Sequence, residues 1–280
     1  MTIDAASRAA YALARARHRF RKGRSPAGPA VVFSMAKTGS SAVVAGLRAA
    51  GWRDLYHVHD LDPEFLRAEE VQYRWSGRPW RIWDAQLLLQ RGRSRDQPWR
   101  VISLVRDPVA QTVSAFFQPG MRHGYIRPGA TIGELRDRFG DRLDRLPLGW
   151  FDSHLLPTLG IDVYDFDFDP DVGYRIIDTP TVRLLLLRCE GLEVAPRALI
   201  ALLEDDRLIR IPKANVGADK AYAHMYQQFI QSVRPTPEQL DRAYSSRLVQ
   251  HFYSPREIDQ FRALWSDGAS ESGGSALLGD

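Results

Sequence analysis

The feature that most constrains this chain is an apolar run, Ala30-Val31-Val32-Phe33. It gives way at once to the polar turn Ser34-Met35-Ala36-Lys37-Thr38-Gly39-Ser40-Ser41 and then to an alanine-rich helical pattern. A short apolar run bounded in this way reads as a buried strand, and the whole segment as strand, tight turn and helix start. Such a turn aims unpaired backbone N–H groups and the positive end of a helix dipole at one point. Lys37 adds a full charge, and Ser40 and Ser41 add hydroxyl donors. Ala36, Lys37, Thr38, Gly39, Ser40 and Ser41 therefore form a candidate phosphate cradle. The order is not that of a nucleoside triphosphate loop, where Lys directly follows the second Gly, because here Lys37 precedes Gly39.

A second segment has the same logic. Arg100-Val101-Ile102-Ser103-Leu104-Val105 predicts a strand that ends in Arg106-Asp107-Pro108, and Gln111-Thr112-Val113-Ser114-Ala115-Phe116-Phe117 continues it as a helix. Pro in a first helical turn costs no hydrogen bond, and two turns of helix carry Ser114 back toward Arg106, so both can grip one phosphate. Between the two motifs, Asp54-Leu55-Tyr56-His57-Val58-His59-Asp60 alternates as a strand, which puts His57 and His59 on one face. In an open parallel sheet, ligands sit beyond the carboxyl ends of the strands, so the ends near Ser34, His59 and Arg106 are expected to meet at one crevice.

These residues resemble those of sulfotransferases, in particular the bacterial capsular polysaccharide synthesis proteins with a sulfotransferase fold. The likeness rests on the Met-Ala-Lys-Thr-Gly-Ser-Ser loop and on Val105-Arg106-Asp107-Pro108 with Ser114-Ala115-Phe116-Phe117. It extends to Trp150-Phe151 and to His251-Phe252-Tyr253-Ser254 through Trp265, so it spans residues 31–265. It implies one α/β, P-loop-type domain with a central parallel sheet flanked by helices. The implied activity is transfer of a sulfuryl group from 3′-phosphoadenosine 5′-phosphosulfate to a hydroxyl of a carbohydrate or glycoconjugate, without a metal. In this likeness the Lys37 loop holds the 5′-phosphosulfate and Arg106 with Ser114 the 3′-phosphate. A late basic loop with Lys213, Asn215 and Lys220 closes over the nucleotide, and a late strand ends in the acidic Glu190. Tyr56-His57-Val58-His59 is similar to a Tyr-His-x-His segment of uronosyl sulfotransferases, although it lies closer to the phosphate loop here. That likeness makes His59 the base and His57 its neighbour, a task that suits an imidazole. Two other readings use the same crevice. A phosphotransferase would need the Gly-Lys-Ser/Thr order that is missing, and a non-catalytic nucleotide-binding or assembly protein would need Arg106 and Ser114 but not the His pair.

The rest of the chain bounds the answer. With 280 residues and a net charge of +4, it is long enough for one large domain and only modestly basic. Zinc-finger spacing and RNP-like strands are missing, which argues against a nucleic-acid partner. The single Cys, Cys189, permits no intrachain disulfide, and the cytoplasm is the expected compartment. No apolar run reaches the roughly 18 to 20 residues that cross a bilayer. Residues 1–28 read as a basic extension whose helix could touch an anionic membrane surface, residues 29–265 as the domain, and the Gly/Ser-rich residues 266–280 as a disordered tail. Residues 71–100, with Trp75, Trp80, Trp83 and Trp99 among arginines, suit a lid over an acidic sugar or plain packing. Residues 121–128 read as a mobile loop, Thr131 and Glu134 as a capping box, and Ile161-Asp162-Val163-Tyr164 as an extended piece. The helices around Ser254 read as packing.

Overall fold

The computed structural model describes residues 5–75, 80–122, 124–127, 129–212 and 223–267. Among these, five strands form one sheet in the order β2-β1-β3-β5-β4. They are β1 (Ala30–Phe33), β2 (Leu55–Val58), β3 (Trp99–Val105), β4 (Tyr174–Asp178) and β5 (Val182–Arg188). β2, β1, β3 and β5 run parallel, and β4 closes one edge antiparallel to β5. The chain is thus mixed α/β, with a mostly parallel central sheet between helices.

Strand residues alternate between two cores, as the pleat requires. Val31, Phe33, Val101, Val105, Leu184 and Leu186 face one, while Ala30, Val32, Ile102, Leu104, Leu185 and Leu187 face the other. The second core is closed by α2 (Ser40–Ala49), through Val43, Val44 and Leu47, and by α8 (Ala195–Leu203). The first is closed by α4 (Trp80–Arg91), α5 (Pro108–Arg122) and a C-terminal group: α9 (Ala223–Ser232), α10 (Pro237–Tyr244), α11 (Arg247–Phe252) and α12 (Pro255–Asp267). α3 (Pro63–Trp75) precedes α4. α6 (Ile132–Phe139) begins at the Thr131 cap, where Glu134 completes the capping box expected from sequence. A π-turn over Phe151–Leu155 runs into α7 (Leu156–Leu159), which Gly160 ends in the left-handed conformation at φ 71°.

The basic helix α1 (Ala5–Arg21) lies against α3 and α4. Trp83 Nε1 donates to Tyr11 Oη at 2.9 Å, Arg15 donates to Gln86 at 2.7 Å, and His18 and Lys22 both reach Asp84 at 2.7 Å.

Several expectations need correction. α5 continues through Arg122, so the start of the expected loop at 121–128 is helical, and residues 123 and 128 lie outside the described residues. Ile161-Asp162-Val163-Tyr164 is not extended, because the Asp162 carboxylate accepts the Tyr164 N–H at 3.0 Å and winds Val163–Asp165 into a 3-10 turn. Of the two readings of residues 71–100, Trp83 and Trp99 follow the packing one, since both are buried, while the side chains of Trp75 and Trp80 lie outside the described ones. β4 had no sequence signal, since its adjacent Ile176 and Ile177 break the alternation. It is an edge strand with Arg175 and Asp178 exposed.

Candidate functional site

The turn after β1 is held from inside. Thr38 is fully buried and its hydroxyl donates to the Met35 carbonyl at 2.8 Å, while Ser34 Oγ lies 3.3 Å from Thr38 Oγ1. Thr38 therefore braces the loop with its side chain. Lys37 sits at φ 72° and Gly39 at φ 85°, both left-handed. At Gly39 the backbone demands glycine twice over, because a Cβ would also come within 3.2 Å of Cys189 Sγ and 3.1 Å of Leu192. At Lys37 an L-residue carries the strain itself. Ala36 and Ser41 are exposed, Lys37 is half-buried and Ser40 is buried.

Two side chains of the second motif fix the loop from outside. Gln111 Nε2 donates to the Ala36 carbonyl at 2.8 Å, and Arg106 Nη1 to the Lys37 carbonyl at 3.2 Å. In a trans peptide the C=O and the next N–H point in opposite directions, so tethering these two carbonyls turns the Lys37 and Thr38 N–H groups the other way. α2 follows with no side-chain cap and no acidic residue in its first turn, which leaves the positive end of its dipole without a local anion. That donor set suits an anion such as phosphate. Ser114 lies two turns along α5 and is half-buried, while Lys213, Asn215 and Lys220 lie outside the described residues. Gln111 escaped the sequence reading, although it stands one turn before Ser114 and so shares its helix face.

The end of β2 comes beside the loop because β2 pairs with β1 in register, Phe33 opposite Val58, which brings His59 alongside Ser34. His59 Nδ1 lies 2.7 Å from the Ser34 carbonyl oxygen. A carbonyl only accepts, so Nδ1 carries the proton, and in the neutral ring Nε2 holds the lone pair. His57 is buried, its Nε2 is 3.1 Å from Ser40 Oγ, and its backbone N–H donates to Asp84 Oδ2 at 3.1 Å. The two rings meet edge to face at 4.9 Å. Ser40, read as a phosphate donor, has its hydroxyl on His57.

Beyond His59, the half-buried Asp60 lies 3.5 Å from His154 Nε2. His154 stacks on Trp150 with centroids 5.4 Å apart, and Trp150 packs on Phe33 at 5.2 Å. This rim was not read from sequence, although Trp150 and His154 stand at the i, i+4 spacing that places two side chains on one helical face.

Behind Arg106 is a buried polar cluster. Asp107 Oδ1 accepts from Tyr244 Oη at 2.9 Å, and its Oδ2 accepts from Trp265 Nε1 at 2.9 Å. The same carboxylate caps α5 through the N–H groups of Val109 and Ala110. Glu190, at the end of β5, accepts the Asp107 N–H at 2.7 Å and the Tyr253 hydroxyl at 2.9 Å. Burial pushes both carboxyls above their ordinary range, against the pull of these donors and, for Glu190, of Arg106. Burial likewise lowers the Lys22 ammonium, with Asp84 opposing it.

These contacts define a mixed α/β protein whose parallel strand ends present an anion-suited loop beside an imidazole. Residues 126–254 match the family model described as "Putative capsular polysaccharide synthesis protein". The matched segment takes in β4, β5, Glu190, Tyr244 and Tyr253, whereas the loop, His59 and Arg106 precede it. No curated protein and no solved structure matches the chain.

Proposed function

We propose that this chain transfers a sulfuryl group from 3′-phosphoadenosine 5′-phosphosulfate to a hydroxyl of a carbohydrate or glycoconjugate. The observation that carries the reading is the 2.7 Å contact of His59 Nδ1 with the Ser34 carbonyl, which ties a base-competent imidazole to an anion-suited loop. The description of the family matched by residues 126–254 supports a sugar-containing acceptor.

The nucleotide supplies the activated sulfuryl group. The Lys37 ammonium, the loop N–H groups and the α2 N-terminus oppose the negative charge that grows on the departing bridging oxygen. Arg106 and Ser114 hold the 3′-phosphate, and Gln111 keeps the Ala36 carbonyl out of the way. His59 Nε2 takes the proton of the attacking hydroxyl as its oxygen bonds to sulfur, and the sulfur–oxygen bond to the 5′-phosphate breaks. Asp84 and Glu190 are poor substitutes as bases. Asp84 is fully buried and takes up His18, Lys22 and the His57 N–H, while Glu190 is engaged by Asp107 and Tyr253.

Titration calorimetry with adenosine 3′,5′-bisphosphate, AMP and ADP tests the donor half of the reading. The bisphosphate is expected to bind far more tightly than AMP, and equal affinities would remove the reading. A screen of hydroxylated sugars with radiolabelled donor tests the acceptor half.

A further inference from the structure

α1 has two faces with the same spacing. Tyr11, Arg15, His18 and Lys22 point inward onto Glu70, Trp83, Gln86 and Asp84. Each of Ala9, Leu13, Ala16 and Phe20 stands two residues from an inward residue, about 200° around the helix, and so forms a stripe on the opposite side. All four are exposed, Leu13 at 53% and Phe20 at 88%. Arg17 and Arg21 flank one side of the stripe and Arg19 the other, all exposed, and the helix contains no acidic residue. The inward contacts fix the roll of the helix, so the stripe is held outward whatever the rest of the surface does.

An apolar stripe between cationic side chains, with a polar anchored face behind it, is the arrangement of a helix that lies in the plane of a membrane interface. We propose that the outer face of α1 docks the protein on anionic lipid bilayers. Leu13 and Phe20 enter the acyl boundary, while Arg17, Arg19 and Arg21 reach the lipid phosphates. The charge complementarity favours an anionic lipid surface over a second copy of the chain, since two such faces would bring like charges together. This proposal is independent of the transferase reading.

The test is sedimentation of the full chain with phosphatidylglycerol/phosphatidylcholine vesicles and with phosphatidylcholine alone. The expected result is binding to the anionic vesicles that weakens with added salt and is at least tenfold weaker on neutral ones. Each arginine near an anionic surface contributes about a fivefold factor, so Arg17→Gln with Arg21→Gln should lower affinity about 25-fold. Phe20→Gln should lower it roughly tenfold or more. Melting temperatures of these variants should match the wild type, because none of the replaced side chains packs on the domain. Absence of anionic-vesicle binding, binding untouched by Phe20→Gln, or self-association in analytical ultracentrifugation that Phe20→Gln removes while vesicles go unbound would each overturn the proposal.

Discussion

His59 touches the loop through Nδ1 and, in the proposed reaction, offers the acceptor its Nε2, so bracing and base can be separated by one substitution. In His59→Asn the amide Nδ2 occupies the place of Nδ1 and can still donate to the Ser34 carbonyl, which His59 now meets at 2.7 Å. Nothing replaces Nε2. Loss of a general base lowers turnover by roughly 100- to 10,000-fold. A neutral hydrogen bond contributes about 1 kcal/mol, a factor of about five, so His59→Asn should bind adenosine 3′,5′-bisphosphate within about twofold of wild type and His59→Ala up to about fivefold more weakly. The assay is transfer of radiolabelled sulfuryl group to an acceptor found by screening, run across pH, with calorimetry on the same preparations. The rising limb of the wild-type pH profile, which reports deprotonation of the imidazole, should disappear in both variants. An Asn variant with wild-type turnover would reduce His59 to a brace and end the argument from its tautomer.

Lys37→Gly should raise thermal stability by roughly 0.5–1 kcal/mol, since Lys37 holds φ 72°, yet cut turnover about 100-fold or more; a destabilised Gly variant in the melt would contradict the strain. Arg106→Ala should cost on the order of 2–4 kcal/mol of bisphosphate affinity but only about 1 kcal/mol for AMP by calorimetry, the latter from its lost tether to the Lys37 carbonyl, and Gln111→Ala about 1 kcal/mol for both nucleotides. Asp107→Asn should destabilise by about 1–3 kcal/mol in denaturant unfolding, because an amide nitrogen must face at least one of the N–H donors now served by the carboxylate. Glu190 has a raised folded pKa, so its contribution to stability is fully present below its unfolded value near 4.3 and is lost as pH rises through the folded value. Glu190→Gln keeps an acceptor for Asp107 N–H and should flatten the fall of melting temperature from about pH 4 toward neutrality; an unchanged slope would show that Glu190 does not titrate there.

What could be read in advance was whatever local chemistry decides. The apolar run before Ser34, the Arg106-Asp107-Pro108 turn, and the Thr131 and Gly160 ends of helices each carry their signal within a few residues. The alternation of Tyr56-His57-Val58-His59 placed both imidazoles on one face, and their rings do meet at 4.9 Å. What could not be read depends on distance along the chain. Asp107 meets Glu190, Tyr244 and Trp265 across separations of 83, 137 and 158 residues. A sequence read without neighbours offers Asp107 only as a partner for Arg106. The inward face of α1 was hidden for the same reason, since Asp84 is a plain helix carboxylate until His18 and Lys22 arrive from 66 and 62 residues away. Gln111 was overlooked because a helix glutamine has many uses, and only the open carbonyl of Ala36 selects this one.

The buried cluster explains how the two halves of the chain depend on each other. The loop, the imidazoles and Arg106 precede the segment that matches the capsular polysaccharide synthesis family, which holds, of the candidate site, only the expected late basic loop of Lys213, Asn215 and Lys220 and the rim of Trp150 and His154. The matched segment nevertheless supplies Glu190, Tyr244 and Tyr253. These side chains fix Asp107, which caps α5 and immediately follows the arginine that tethers the Lys37 carbonyl. Ser254 holds the start of α12 through Glu257, and α12 carries Trp265 to the other oxygen of Asp107. A perturbation at Tyr244 or Trp265 therefore has a short bonded route to Arg106 and the loop, although neither side chain is expected to touch a nucleotide. The C-terminal helices pack, as their pattern suggests, but what they pack around is the turn that aims Arg106.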